Sequence, residues 1–178
     1  MSGRILLAPV HFVDPLTRPL LLLLLLSLGC TKAPAPHAPP AQTAEQDCTL
    51  ATPLTPGVPG SPGHLIKSAR NPNGDSELAV LMRKFVEDLR QARTSLEAGK
   101  AVAPWFPTHR KMRCSWPTSP EERNERFDAL AQAYLSRVKD FDQGPSKVTY
   151  NEVIQGCIAC HSASCGGPLD FIDGMRWQ

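Results

Sequence analysis

Two apolar stripes that advance in steps of three and four residues constrain this chain most. Leu78, Leu81, Met82, Phe85, Leu89, Ala92 and Leu96 form the first; Phe127, Leu130, Ala131, Tyr134, Leu135, Val138 and Phe141 form the second. That spacing is one face of an α-helix. Asn73-Gly74-Asp75-Ser76 reads as a turn and cap before the first helix, and Gly99 as its stop. Ser76–Ala98 would be about 35 Å long. Ser119-Pro120-Glu121-Glu122 reads as a capping box with proline at the first helical position, opening the second helix, which Gly144-Pro145 closes. Ser146 caps a third helix whose face is Tyr150, Val153, Ile154, Cys157 and His161. Residues 100–118 hold Pro104, Pro107 and Pro117 among Trp105, Phe106 and Trp116, an irregular crossing with one helical stretch near 108–114. No convincing strand is visible. The expectation for residues 73–178 is an all-α domain, antiparallel and four-helix-bundle-like with a short or irregular second helix. Leu169, Phe171, Ile172 and Trp177 in the tail are available to cover its core.

The other residues are built differently. Leu20–Leu28 is leucine except for Ser27, preceded by Arg4 and Arg18. Nine helical residues span about 14 Å, far short of a hydrocarbon core of about 30 Å. Residues 1–29 therefore read as a signal peptide. The run ends Ser27-Leu28-Gly29-Cys30, which resembles a bacterial lipobox with its leucine and small residue transposed. A lipid on Cys30 is expected, with ordinary signal-peptidase cleavage as the alternative. Thr31 rather than Asp follows Cys30, so the expected address is the periplasmic side of the outer membrane. Nine of the eighteen prolines lie between Pro34 and Pro72. With Ala, Gly and Thr around them and no apolar period, residues 30–72 read as a disordered, polyproline-leaning tether.

The whole chain carries a formal charge of +2 across 178 residues, with mean hydropathy −0.22. No clustered basic face marks a nucleic-acid footprint, and a multi-span membrane protein is excluded.

The chemistry is concentrated at Cys157-Ile158-Ala159-Cys160-His161, a Cys-x-x-Cys-His motif of the kind that attaches c-type haem. On a helix, positions i, i+3 and i+4 share a face. Two thiols there can form thioethers to the haem vinyl groups, and the next residue sets an imidazole beneath the iron. Attachment outside the bacterial cytoplasm agrees with the export segment. One covalently bound haem c is the expected cofactor, with His161 the proximal iron ligand. Two alternatives stand beside it. Cys157, Cys160, His161 and Cys165 could make a four-ligand zinc set, and Cys157 with Cys160 could be a redox dithiol. Met82, Met112, Met175 and His109 are the candidates for the sixth position. Met82 lies on the apolar face of the first helix, where space-filling in the core is the plainer role.

A Cys-x-x-Cys-His near the C-terminus, on the last long helix of a helical bundle, resembles the class II cytochromes c, that is, cytochrome c prime and its low-spin relatives. The resemblance covers roughly residues 75–165 and is carried by Leu81-Met82-Arg83 and by Tyr150-Asn151 through His161. In low-spin members a methionine of the first helix, in a similar Leu-Met-basic setting, binds the iron. The resemblance thus implies Met82 as the distal ligand. The chain departs from the family in two places. Ser162-Ala163-Ser164-Cys165-Gly166 stands where the family carries an aromatic residue and an arginine, and prolines interrupt the second helix.

With Cys30 lipidated and Cys157 and Cys160 on haem, Cys48, Cys114 and Cys165 remain. An oxidising compartment favours one bridge. With Cys48 assigned to the tether, the favoured pair is Cys114–Cys165, and free buried thiols are the alternative. No Ser/His/Asp set or pair of acids near the motif indicates an enzyme. The expected function is one-electron transfer between redox protein partners at the cell envelope, anchored to the membrane through the N-terminal lipid. A five-coordinate haem protein that binds or senses small gases such as NO or CO is the alternative, with Leu78, Leu81 and Phe85 lining an open distal side. A colourless zinc or structural lipoprotein is the third reading. Any apolar helix face left uncovered by the short second helix is a candidate homodimer interface.

Overall fold

The computed structural model describes residues 48–164 and 167–178. The described residues are all-α. There are three long helices, α1 (Glu77–Glu97), α3 (Glu125–Gln143) and α4 (Lys147–Ser164); a short α2 (Phe106–His109) lies between α1 and α3, and a short α5 (Leu169–Asp173) follows α4. Among the described residues no helix is long and apolar enough to cross a membrane. The signal peptide and Cys30 lie outside the described residues.

The sequence signals act where the spacing puts them. Ser76 Oγ accepts from the Ala79 N–H at 3.1 Å and caps α1. Gly99, at φ +64°, ends it. Lys100 N–H donates to the Ser95 carbonyl and Gly99 N–H to that of Leu96, the two bonds of a Schellman stop. Ser146 Oγ accepts from the Thr149 N–H at 3.2 Å at the start of α4. Gly144-Pro145-Ser146 is the whole connection between α3 and α4, so these two pack as a helical hairpin. Gly156 makes that packing close. A Cβ there would meet Tyr134 Cδ2 at 3.1 Å and Arg137 Cδ at 3.2 Å.

The start of α3 differs from expectation. Pro120–Glu122 forms only a 3₁₀ turn, and α3 begins at Glu125. Asn124 is the cap, its Oδ1 accepting from the Phe127 N–H at 3.0 Å. Arg123 breaks the run because its guanidinium is engaged elsewhere, donating to the carbonyls of Thr49, Thr52 and Arg113.

Those bonds also correct the tether. Residues 48–72 belong to the folded unit rather than to a disordered tether ending at 72. Arg123 Nη2 reaches Thr49 O at 2.8 Å and Thr52 O at 2.7 Å, and Trp116 Nε1 donates to Thr55 O at 2.7 Å. Ile66 pairs with Asp75 in an isolated antiparallel bridge. Gly60, at φ +91°, lets the belt pass so close to α1 that a Cβ would lie 2.3 Å from the Glu77 nitrogen. Cys48 is covalently bound to Cys114, 66 residues away. The expected Cys114–Cys165 bridge is therefore corrected: Cys114 is spent on Cys48, because the belt folds back over the crossing. Cys165 lies outside the described residues.

The core gathers the stripes: Phe85, Leu89 and Ala92 from α1, Ala131, Tyr134, Leu135, Val138 and Phe141 from α3, and Tyr150, Val153 and Ile154 from α4. Trp105 and Met112 from the crossing and Ile172 from α5 complete it. Asp142 fixes the crossing by accepting the Trp105 and Phe106 N–H groups, each at 2.8 Å. Arg113 adds a two-pronged bond to Asp128 at 2.8 and 3.0 Å, and that bond holds the Asp128 carboxyl below its ordinary range. At the C-terminus, Asn151 exchanges two hydrogen bonds with the Trp177 backbone at 2.9 Å.

Candidate functional site

A cavity of about 390 Å³ opens between α1, the crossing, α3 and α4. Its size lies in the range of small-molecule and cofactor sites, about 300–1,000 Å³. Cys157, Cys160 and His161 line it from α4 and Met82 from α1. Leu78, Phe85, Phe127 and Leu130 add large apolar side chains to the wall. The motif reaches the cavity because Tyr150, Val153 and Ile154, one to two turns earlier on α4, are buried against the core. The 3.6-residue period then carries Cys157 and His161 to the edge of that face.

The four sequence candidates thus share one cavity. Met112, 3% exposed, also lines it from the 3₁₀ turn Arg110–Cys114. Met175 does not. It lines a separate surface recess with Arg90, Arg93 and Tyr150. His109 does not reach the wall either. Its ring is fully buried, stacked on Phe85 with centroids 3.7 Å apart and near Trp105 at 5.4 Å. Of the expected distal apolar residues, Leu78 and Phe85 line the cavity, while Leu81 packs against the core.

Cys157 and Cys160 are in no disulfide. Burial pushes the Cys157 thiol up to about 12, and the neighbouring Cys160 sulfur pushes the same way. A redox dithiol needs a lowered thiol pKa at an electropositive, accessible site, so the dithiol alternative lacks its activating environment. Among the described residues, no three His, Cys, Asp or Glu side chains gather as a metal-holding group. A haem iron would ask less of the chain, since two donor side chains would suffice. The donor set fits haem c: two thiols spaced i and i+3, a histidine beside them, a thioether from the facing helix, and an apolar wall.

The partners of two polar residues at the cavity, Tyr134 and Arg83, are not evident from the sequence. Tyr134 lines the wall while its hydroxyl lies 2.7 Å from His109 Nδ1. Tyr134 is 3% exposed, and burial raises its phenol well above the ordinary value. The neighbouring Tyr134 hydroxyl opposes the rise in the Cys157 thiol. A polar tip within an otherwise aliphatic stripe was the available signal, since a buried Tyr hydroxyl usually finds a partner. Arg83 lines the opposite rim, bound to the buried Asp75 at 2.5 Å, which lowers the Asp75 carboxyl.

Comparisons with protein-family models, with curated proteins and with solved structures return no match for this chain.

Proposed function

We propose that this chain is an exported, single-haem c-type cytochrome that carries one electron between redox protein partners. The observation that carries the reading is that Cys157, Cys160, His161 and Met82 line one largely apolar cavity. Bound haem c supplies a one-electron iron couple there. Cys157 and Cys160 hold it through thioethers, so it is not lost. His161 would supply a nitrogen and Met82 a sulfur to the iron, a ligand pair that raises the potential. Phe85, Phe127, Leu130 and Leu78 keep water from the iron's surroundings, which limits reorganisation when the charge changes. Were His161 and Met82 both to bind the iron, no site would remain for a reaction on a substrate, and the chain would act as a carrier rather than an enzyme.

The same reading takes the helices as a class II-like four-helix bundle, with α1, α3 and α4 long and the crossing standing for the short second helix. It takes Cys30 as the lipidated residue and residues 31–47 as the tether to the periplasmic face of the outer membrane.

The test is expression of residues 30–178 with haem-maturation enzymes, followed by absorption spectra of the oxidised, reduced and CO-treated reduced protein. A low-spin reduced spectrum indifferent to CO is expected. Met82→Ala then yields a spectrum that shifts with CO, and Met112→Leu does not. A wild-type spectrum that shifts with CO would replace the carrier with a gas-binding protein. A colourless product, with maturation working on a control, would remove the haem reading.

A further inference from the structure

Among the described residues, His109 is a buried titratable side chain that the carrier reading does not use. It is fully buried, yet its Nε2 has no hydrogen-bond partner. Native interiors seldom leave such an atom without a reason. Nε2 faces Asp88 Oδ2 at 3.4 Å, an ion-pair contact that is not aligned as a hydrogen bond. Asp88 sits on the rim of α1 with its side chain 14% exposed, and Lys84 holds its other oxygen at 2.6 Å. On the other side, Nδ1 meets the Tyr134 hydroxyl, and Tyr134 lines the cavity beside Cys157. One continuous chain of polar atoms therefore runs from solvent at Lys84 and Asp88, through His109 and Tyr134, to the cavity.

Resting on the haem reading, we propose that this chain couples a proton to the electron: when a one-electron donor reduces the iron, His109 takes up one proton from solvent by way of Asp88, and returns it on reoxidation. Up to one proton enters with the electron, fully only in the acidic range where reduction shifts the protonation of His109, and no bond in the chain is made or broken beyond the N–H of His109.

The geometry serves both protonation states. In the neutral state, Nε2 faces only a carboxylate and so carries the hydrogen, which leaves Nδ1 to accept from the Tyr134 O–H. In the cationic state both nitrogens donate. A small rotation of Asp88 aligns its Oδ2, 3.4 Å away, with the Nε2–H. The Tyr134 oxygen becomes an acceptor and its hydrogen turns toward the Cys157 sulfur, so the protonation state is read at the cavity. Phe85, stacked on the ring, and Trp105 beside it favour a cation over their faces. The charged and titratable groups around the imidazole are few. Asp88 and Lys84 come from α1 and Tyr134 from α3. Cys157 of α4 lies behind Tyr134, and Asp142 is committed to the N–H groups of Trp105 and Phe106. Electron arrival adds negative charge in a poorly screened interior, which favours the imidazolium.

The measurement is the midpoint potential of the haem-loaded chain from pH 4 to pH 8. In the wild type it falls as pH rises, by up to about 59 mV for each tenfold drop in proton concentration. The fall begins near pH 4, where burial places His109, and flattens toward neutrality. His109→Gln removes that slope with the haem spectrum intact. Asp88→Asn moves the window to lower pH, because the cation loses its carboxylate. A flat wild-type potential, a slope that survives His109→Gln, or a window unmoved by Asp88→Asn overturns the proposal while leaving the carrier standing. A chain without haem overturns both. If His109→Gln fails to fold, Asp88→Asn decides alone.

Discussion

Acid should weaken this fold through His109. Burial lowers the imidazole from its ordinary 6.5 to about 4, and the Asp88 carboxylate recovers only part of the loss. The unfolded chain therefore binds this proton first as pH falls. Above pH 6.5 neither state holds the proton and stability is at its plateau. Between 6.5 and 4 the unfolded state holds more protons than the folded one, so stability falls with pH. Below 4 both states hold it and the loss levels off. At about 1.4 kcal/mol per pKa unit, the depression amounts to about 3 kcal/mol, a large share of the roughly 5–15 kcal/mol that holds a typical domain together. Guanidinium unfolding followed by circular dichroism at pH 7, 6, 5 and 4 measures it. The wild type should lose about 3 kcal/mol across that range, at a slope approaching 1.4 kcal/mol per pH unit. His109→Gln should lose markedly less, whatever its stability at pH 7. Asp75 and Asp128, lowered by Arg83 and Arg113, act in the same direction but below the ordinary carboxylate value of 3.8. Parallel wild-type and variant curves between pH 6.5 and 4 would refute the reasoning, since the shifted proton would then belong to another group.

Three further outcomes follow from the packing. Tyr134→Phe keeps the ring but strands His109 Nδ1, so it should cost about 1–3 kcal/mol, read from the same unfolding curves; a neutral result would mean that water replaces the hydroxyl. Replacing Cys48 and Cys114 with serine reopens a loop of 66 residues, a loss of about 4 kcal/mol by chain entropy. Unfolding under non-reducing conditions measures it, and a loss below about 1 kcal/mol would mean that the belt's polar contacts close the loop without the bridge. Gly60→Ala puts a Cβ against the Glu77 backbone at a positive φ, costing about 1–3 kcal/mol in backbone strain before the clash is counted. Limited proteolysis should then cut within residues 48–72 much faster than in the wild type, and equal rates would count against the close approach.

The helices were legible because their signals are local. The α1 stripe, the Ser76 cap and the Gly99 stop lie within one another's reach along the chain, and so do Ser146 and the α4 face. The belt was not. Its order comes from Arg123 and Trp116 donating to carbonyls of Thr49, Thr52 and Thr55, more than 60 residues away in sequence. Composition registers that such a stretch lacks a core of its own. It does not register that another segment's side chains bind its backbone. The misplaced disulfide has the same origin: with the belt taken as a tether, Cys48 had no reason to meet Cys114. The start of α3 moved for a related reason, since Arg123 has two carbonyls of the belt to satisfy and leaves the helical run to reach them.

The site divides along the same line. Cys157, Cys160 and His161 are spaced by the helix itself, so their common face could be read directly. Met82 required only that α1 face α4, which its apolar stripe demanded. His109 and Tyr134 required a contact across 25 residues, between a proline-broken crossing and the middle of a helix stripe. In the sequence each has a plausible separate life, one as a weak ligand candidate and the other as core. Joined, they place a titratable ring behind the cavity wall, with Tyr134 between it and the motif. Local periodicity can therefore announce where an electron would sit, while the group able to answer it with a proton emerges only from the packing of α2 against α1 and α3.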